Sequence, residues 1–210
     1  MRRFSLFLST LLFLFYVGVL VYAKLPSRPE SIKPLMSGDS AGCTTWSVNE
    51  AKGWWVTAGH CVVQQVETEE GLVMMATPDL NIGGKPITAA RVDLVNDLAL
   101  LEADIHMPAL KYGNYPNVGD AVTVYGYPGG WLAPFPTWLT VSNPFAKLFN
   151  REWMVLDGSV WPGHSGSPVL DRKGHVVGVI QAHGTDRYAG TTFACTWQQL
   201  GAFVADSWGH

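Results

Sequence analysis

Short β-rich runs separated by turn residues are the feature that most restricts what this chain can fold into. From about residue 41 onward each run is only a few residues long, and one segment alone, Trp197–Ala205, has a helical pattern. Runs of this kind, bounded by turn residues, predict β-strands. The predicted strands are Cys43–Val48, Trp54–Thr57, Val62–Glu67, Val73–Ala76, Thr88–Val92, Leu98–Glu102, Ala121–Tyr125, Trp138–Val141, Trp153–Leu156, Pro168–Leu170, Val176–Ile180 and Thr191–Ala194.

Two sets of six short strands predict an all-β chain of two small barrels, because many short strands with little helix are typical of sandwiches and barrels. The turn-rich segment His106–Pro116 lies between the two sets, and the proline-rich segment Lys24–Gly38 precedes them. The expected organisation is an apolar segment at residues 1–23, a linker or arm at 24–40, a first barrel at 41–107, an inter-barrel linker at 108–118, and a second barrel with the terminal helix at 119–210.

The chain begins with Arg2 and Arg3, followed by an almost purely apolar run, Phe4–Tyr22. This pattern has two interpretations. A secretory signal has a basic start, an apolar stretch and a small-residue cleavage site, for which residues 21–23 would serve. A membrane anchor needs about 20 apolar residues, and this run reaches that length. Both interpretations predict that the rest of the chain is secreted or otherwise lies outside the cytosol, with membrane contact through residues 4–22 if they are not cleaved.

The charge balance excludes a nucleic-acid partner. The chain has 14 Lys and Arg against 17 Asp and Glu, a net charge of −3, whereas nucleic-acid binders need a concentrated basic excess. Hydrophobic residues make up 48% and charged residues 15%, which excludes an intrinsically disordered chain. No H-E-x-x-H, P-loop, G-x-G-x-x-G or C-x-x-C string occurs, so we expect neither a metal nor another cofactor.

Three short segments carry residues suited to nucleophilic catalysis. In chain order they present His60 in T-A-G-H-C, Asp97 in D-L-A-L-L and Ser165 in G-H-S-G-S-P. A serine hydroxyl attacks efficiently only when a neighbouring base takes its proton, and His suits that role because its ordinary pKa is near 6.5. An ionised Asp behind the imidazole fixes the tautomer and stabilises the imidazolium. The pattern therefore predicts His60, Asp97 and Ser165 as catalytic base, acid and nucleophile.

Glycines on either side of the nucleophile predict a tight turn. Attack on a carbonyl creates an oxyanion, which needs preorganised donors. Gly163 and Gly166 allow the backbone to turn so that the N–H groups of Gly163 and Ser165 reach that oxygen.

The three strings resemble the signatures of the chymotrypsin/trypsin-like serine protease family, in its His, Asp, Ser order, and are most similar to its compact bacterial and viral branch. The resemblance extends from about residue 42 to 203. It implies two six-stranded antiparallel barrels with the active site in the cleft between them, and a serine endopeptidase that acts through an acyl-enzyme. It also implies a disulfide between Cys43 and Cys61, which leaves Cys195 as a small buried hydrophobic residue.

The chain departs from the family pattern directly before the nucleophile. Digestive members carry an Asp there, which pairs with a new N-terminus released by zymogen cleavage, whereas this chain has His164 and no matching cleavage string. We therefore expect an oxyanion loop that is organised without such activation.

The resemblance also locates the pocket for the residue before the scissile bond. Its floor falls on Ser159, which is uncharged, so a preference for Lys or Arg is not expected because a buried cation needs a partner. His183 could read an acidic side chain, although a solvated loop histidine is the simpler interpretation. We expect a small or medium apolar residue in the pocket. The predicted substrate-binding residues are Ser159, Ile180, Gln181, Ala182, His183 and Gly190.

A non-cleaving peptide-binding or scaffold protein on a protease fold is the alternative interpretation, because a fold does not guarantee activity. The complete set of His60, Asp97 and Ser165 favours the enzyme. An esterase of the α/β-hydrolase kind would need alternating helices and strands, which the pattern lacks. The expected partner is a protein or peptide substrate. The aromatic-rich and proline-rich residues 131–149 could contact substrate or membrane, or form a core hairpin.

Overall fold

Two closed barrels, each of six antiparallel strands, form the folded chain in the computed structural model, which describes residues 30–68, 71–130 and 133–208. The strands are β1 (Ile32–Ser37), β2 (Ser40–Asn49), β3 (Trp54–Ala58), β4 (Val63–Thr68), β5 (Gly71–Ala76), β6 (Leu80–Ile82), β7 (Lys85–Asp93), β8 (Leu98–Ala103), β9 (Ala121–Gly126), β10 (Phe135–Leu148), β11 (Arg151–Asp157), β12 (Pro168–Leu170), β13 (Val176–His183) and β14 (Thr191–Ala194). One helix, α1 (Trp197–Trp208), follows them.

The strand order confirms the predicted all-β class and the two barrels. The first barrel runs β1-β2-β3-β8-β7-β6 and the second runs β10-β11-β14-β13-β12-β9. β4 and β5 form a separate two-stranded sheet. Residues 104–120 connect the two barrels, and within them Tyr112 forms an isolated bridge to Val176 of β13.

The first barrel does not use all the strands that the sequence predicts. β4 and β5 pair only with each other among the described residues, whereas β1 and β6 complete the barrel. β1 lies inside the segment 24–40 that was expected to be a linker or arm, yet Ile32 and Leu35 are buried and Leu35 pairs with Ile82 of β6. Pro34 weakens the strand signal, but it lies outside the β1–β6 ladder, so its missing N–H removes no bond there. The first barrel therefore starts at Ile32.

Apolar cores fill each barrel and the space between them. Trp55 and Leu101 are fully buried in the first barrel, and Met154 is fully buried in the second. A third cluster joins Trp46 of the first barrel to Tyr125 of the second. Burying one such side chain stabilises the fold by roughly 1.5–3 kcal/mol. The shared cluster holds the two barrels, and hence the loops of the cleft, in one arrangement.

Helix α1 closes the chain against this shared core, as the sequence predicts for residues 197–205. Thr196 and Gln199 cap its start reciprocally: the Gln199 N–H donates to Thr196 Oγ1 at 3.3 Å, and the Thr196 N–H donates to Gln199 Oε1 at 2.8 Å. Leu200, Phe203 and Val204 are buried at the i, i+3, i+4 spacing of an amphipathic helix.

The predicted signal or anchor at residues 1–23 lies outside the described residues. In the part of the chain that the structure describes, no helix has the length and apolarity needed to cross a membrane.

Candidate active site

The register between β3 and β8 places the candidate base and acid side by side. β3 ends at Ala58, which pairs with Leu98, the first residue of β8. A 3-10 turn at Gly59–Cys61 follows β3 and carries His60, whereas Asp97 directly precedes β8. Because antiparallel partners run in opposite directions, the end of one strand meets the start of the other. The two predicted residues, 37 positions apart in sequence, are therefore brought together by the barrel itself.

The His60 ring and the Asp97 carboxylate are in direct contact. Nδ1 of His60 lies 2.9 Å from Oδ2 and 3.2 Å from Oδ1 of Asp97, and the His60 backbone N–H donates to Oδ1 at 2.8 Å. With the carboxylate at Nδ1, the neutral imidazole carries its proton there and leaves Nε2 free to accept another. Asp97 has a φ of +51°, a backbone conformation that is uncommon for residues other than glycine.

The Ser165 loop is fixed to the first barrel beside His60. The backbone N–H of Thr44 in β2 donates to the Ser165 carbonyl at 2.8 Å. At Gly166, where φ is +83°, an added Cβ would lie 2.2 Å from the Thr44 carbonyl oxygen and 2.9 Å from the backbone nitrogen of Ala58. Only glycine fits such a close approach. The nucleophile loop therefore packs against the end of the strand that leads into His60.

A disulfide joins β2 to the 3-10 turn that carries His60. Cys43 of β2 and Cys61 of the 3-10 turn are joined with a Cα–Cα distance of 6.2 Å, as the family resemblance implies. Cys195 is free and buried, as expected.

The structure does not join all three candidate catalytic groups by hydrogen bonds. Among the described residues, no hydrogen bond links the His60 ring to the Ser165 hydroxyl, although both lie at the same end of β3. Catalytic hydrogen bonds are often long in unliganded enzymes and tighten when substrate binds. The contact that the structure does contain is the one between base and acid.

The peptide groups around Ser165 are oriented by hydrogen bonds to their carbonyl oxygens. The Pro162 carbonyl accepts the N–H of Gly129, which follows β9, at 2.8 Å. The His164 carbonyl accepts the N–H of Ser167 at 2.9 Å. In a trans peptide the C=O and N–H point in opposite directions, so the N–H groups of Gly163 and Ser165 point away from these bonds. Neither N–H has an acceptor among the described residues, which leaves both available to a ligand.

Gly163 is a required glycine. Its φ is +100°, and an added Cβ would lie 2.2 Å from the Tyr127 carbonyl oxygen. Its own carbonyl accepts the Thr44 hydroxyl at 2.7 Å, and that hydroxyl in turn accepts the Tyr127 N–H at 3.1 Å. Thr44, which no sequence motif marks, therefore links β2 of the first barrel to the Ser165 loop and to Tyr127 of the second barrel.

His164 lies beneath this loop and is fully buried. Its Nδ1 lies 3.1 Å from the Trp161 carbonyl oxygen and its Nε2 lies 3.2 Å from the Thr137 hydroxyl. Burial lowers the pKa of His164 below 6.5, and the bond to the Trp161 carbonyl partly opposes that shift. A neutral imidazole thus occupies the position directly before Ser165, where digestive serine proteases carry an Asp.

A cavity of about 310 Å³ opens beside Ser165. It is lined by Val160, Trp161, Pro162, Ser165, Ile180, Gln181, Ala182 and His183. Four of the six predicted pocket residues, Ile180–His183, belong to this lining. Ser159 and Gly190 do not: Ser159 is exposed, and the Gly190 carbonyl accepts the Gly158 N–H at 2.8 Å. Val160 closes the pocket where Ser159 was expected, because the buried position falls one residue later.

Gln181 and Arg151 of the second barrel contact the backbone of the loop that carries Asp97. Gln181 is buried and donates through Nε2 to the carbonyls of Asn96 and Asp97 at 2.6 and 2.9 Å. Arg151 donates through Nη2 to Gln181 Oε1 at 2.7 Å. Sequence reasoning named Gln181 only as a pocket residue and missed Arg151, since a lone Arg at the start of a strand carries no motif.

One group of possible metal ligands occurs at the site. The ligand atoms of His60, Cys43 and Cys61 lie within 4.8 Å of one another. The two sulfurs are bonded to each other, so neither is a thiolate, and the group does not fit a metal ion.

Comparisons with known proteins identify the family and the fold of this chain. The family model of the trypsin-like peptidase domain matches residues 43–179, which is more than half of the chain. A relative described as a probable periplasmic serine endoprotease DegP-like, from Chlamydia trachomatis serovar D, is 30% identical over 184 residues, which cover 81% of this chain and 34% of the relative. The chain thus spans about a third of that relative's length.

Two solved structures show the same fold at low identity. The Rv3671c protease of M. tuberculosis in its active form is 22% identical, with a TM-score of 0.62 over 83% of this chain and 78% of that one. The HtrA-type protease AlgW with a tripeptide is 20% identical, with a TM-score of 0.65 over 89% of this chain and 62% of that one. The match to the family model, which spans both barrels, establishes that this chain belongs to the trypsin-like peptidase family.

Proposed function

We propose that this protein is a serine endopeptidase in which His60 is the general base, Asp97 the acid that orients it, and Ser165 the nucleophile. The observation that carries the proposal is the double contact of the Asp97 carboxylate with Nδ1 and the backbone N–H of His60, beside the glycine-flanked Ser165. This contact leaves Nε2 of His60 as the acceptor that the Ser165 hydroxyl needs.

The reaction proceeds through an acyl-enzyme. Nε2 of His60 takes the hydroxyl proton as Ser165 Oγ bonds to the carbonyl carbon of the substrate. The N–H groups of Gly163 and Ser165 donate to the oxyanion, and each donor of this kind contributes about 2.7–4 kcal/mol to the transition state. The carbon–nitrogen bond then breaks, and the imidazolium gives its proton to the leaving amine. Water repeats the sequence on the ester, which releases the acid and restores Ser165.

The oxyanion loop needs no zymogen cleavage in this proposal. The Thr44 hydroxyl holds the Gly163 carbonyl, and His164 is buried without a carboxylate partner among the described residues. These bonds support a loop that is organised as the chain folds, so activity should not depend on a further N-terminal cut.

The cavity beside Ser165 favours a small or medium apolar side chain before the scissile bond. Val160 and Ile180 are buried and line it, and its lining among the described residues includes no Asp, Glu, Lys or Arg. A buried cation on the substrate would lack a partner there, which disfavours Lys and Arg. His183 is the lining residue that could pair with an acidic side chain, but it is exposed to solvent, so we do not expect it to select Glu.

Two observations support an extracytoplasmic location. The Chlamydia trachomatis relative is described as periplasmic, and the Cys43–Cys61 disulfide suits an oxidising compartment. The proposed substrate is therefore a protein or peptide outside the cytosol.

Cleavage-site profiling tests the proposal. The full-length protein is incubated with a denatured proteome, and the new termini are identified by mass spectrometry. We expect cuts mainly after small or medium apolar residues, which disappear in Ser165→Ala. Ser167→Ala is the matched control and should keep the activity, because that hydroxyl is buried without a hydrogen-bond partner among the described residues.

Two outcomes would contradict the proposal. Cuts mainly after Lys, Arg or Glu would overturn the pocket assignment. Peptide binding with no cleavage by the folded wild type would favour the alternative of a non-cleaving binding protein on this fold.

A further inference from the structure

In the loop that carries Asp97, backbone N–H groups find an acceptor within the loop, whereas two backbone carbonyls find their donor outside it. The Asp93 carboxylate accepts the N–H groups of Val95 and Asn96 at 3.0 Å each and the Asn96 side chain at 2.7 Å. The carbonyls of Asn96 and Asp97 instead face the second barrel, where Gln181 of β13 donates to both. The acid of the first barrel is thus held by a buried amide of the second.

Arg151 determines which way that amide points. Its Nη2 donates to Gln181 Oε1 at 2.7 Å, which places the amide oxygen towards Arg151 and the amide nitrogen towards the loop. The same Nη2 donates to the Asn96 carbonyl. The guanidinium lies over the Trp153 ring, with 4.2 Å from Cζ to the ring centroid, and this cation–π contact fixes its plane.

Stability alone does not account for this arrangement. Burial lowers the pKa of Arg151, and the carboxylates of Asp97 and Asp93 oppose that shift. Its Nε is buried with no partner among the described residues. A partly buried cation with an unsatisfied donor destabilises a fold unless its other contacts compensate. Apart from the Trp153 ring, the contacts that compensate lead to the loop of the acid or to Gln181, which holds it.

We propose that Arg151, acting through Gln181, is a positioning residue that holds the backbone of residues 96–97 so that the Asp97 carboxylate stays on His60. Asp97 has a φ of +51°, and a non-glycine residue keeps this strained conformation only where its surroundings impose it. Without the two donors the loop relaxes, and the carboxylate turns from the His60 ring. The inference rests on the proposed function, because it concerns the orientation of that acid.

Kinetics of charge and donor variants test the proposal. Arg151→Met keeps the apolar stem of the side chain and removes the charge and the donors, whereas Arg151→Lys keeps the charge and one donating nitrogen. We expect Arg151→Met to lower kcat by roughly 10- to 100-fold with KM within about twofold, and Arg151→Lys to restore part of the loss. Lys147→Met, which removes an exposed cation of the same hairpin, should leave both constants unchanged. Rates are divided by the sites titrated with a fluorophosphonate, so that misfolded protein does not count.

Hydrogen exchange gives a readout that does not require activity. The His60 backbone N–H donates to Asp97, so its exchange, followed by NMR, should become at least about tenfold faster in Arg151→Met while the amides of β8 keep their protection. If Arg151→Met does not fold, Gln181→Met, which removes the donor to both carbonyls, replaces it in the exchange experiment. Its kinetics are not used, because Gln181 also lines the cavity beside Ser165.

The two proposals fail in different ways. Unchanged kcat per titrated site together with unchanged His60 exchange would overturn the role of Arg151 and leave the endopeptidase proposal intact. A wild type that neither cleaves nor reacts would overturn the endopeptidase proposal, and the role of Arg151 in catalysis would fall with it.

Discussion

A buried histidine next to the candidate nucleophile makes the stability of the protein depend on pH. His164 has a pKa below 6.5 in the folded state, chiefly because of burial, whereas in the unfolded chain it titrates near 6.5. The unfolded state therefore binds more protons below pH 6.5. Stability from this group is fully present above that pH and is lost as the pH falls through the folded value.

Urea unfolding between pH 7 and pH 5 measures this dependence. The free energy of unfolding of the wild type should decrease as the pH is lowered from 7 to 5. His164 should account for a slope of at most about 1.4 kcal/mol per pH unit. His164→Asn removes the titrating ring and should give a shallower slope. Equal slopes in the two proteins would show that His164 is not the group responsible.

Sequence patterns single out individual residues where the chemistry demands one residue type. His60, Asp97 and Ser165 stand in short strings with a clear order, and the structure places the first two in contact. Arg151 and Thr44 were missed, because their contacts are long-range and no local pattern marks them. The resemblance predicts the pocket floor at Ser159, whereas the buried lining residue is Val160, because a resemblance in sequence does not fix which residue after a strand faces a pocket.

The Cys43–Cys61 disulfide fixes β2 to the 3-10 turn. It closes a loop of 18 residues, for which the chain-entropy model gives about 3 kcal/mol. The double variant Cys43→Ala/Cys61→Ala should therefore lose about 3 kcal/mol of unfolding free energy in urea. The wild type under a reducing agent should lose a similar amount, and a loss below about 0.5 kcal/mol would contradict this assignment.

The β4–β5 hairpin should contribute little to the stability of the barrels, because it pairs only with itself among the described residues. Its residues Leu72, Met74 and Met75 are half or more exposed, and its base is closed by the Thr77 N–H, which donates to the Val62 carbonyl at 2.7 Å. Replacing residues 63–76 with a short Gly-Ser loop should change the unfolding free energy by no more than about 1 kcal/mol.

A core substitution provides the comparison for that deletion. Leu101→Ala empties a fully buried site in the first barrel and should cost about 2–5 kcal/mol. If the hairpin deletion costs as much as Leu101→Ala, the hairpin is part of the barrel's stability after all.

Element prediction failed where strand signals and burial diverge. β4 and β5 have strand-forming composition but lie outside the barrel, whereas β1 and β6 close it with weak signals. β1 contains Pro34, and β6 has only three residues, so neither has the pattern of a regular strand. Their place depends on pairing across the barrel, as in Leu35 with Ile82, which a single chain segment does not reveal.

At the scale of the whole molecule, the candidate site exists only because two barrels meet. The first barrel contributes His60 and Asp97, and the second contributes Ser165, Gln181 and Arg151. The buried cluster between the barrels, with Trp46 and Tyr125, fixes their relation. Two six-strand sets predicted this architecture from the sequence, but the contacts across the cleft follow from packing alone.

Covalent labelling of Ser165 by a fluorophosphonate tests the central claim most directly. In the folded full-length protein the label should attach to the peptide that contains Ser165, and Ser167→Ala should react like the wild type. The label should be lost in Ser165→Ala, and its rate should fall by at least about 10³-fold in His60→Ala, because the base no longer activates the hydroxyl. Equal labelling of the wild type and His60→Ala, or no labelling of the folded wild type, would contradict the assignment of a His60-activated nucleophile.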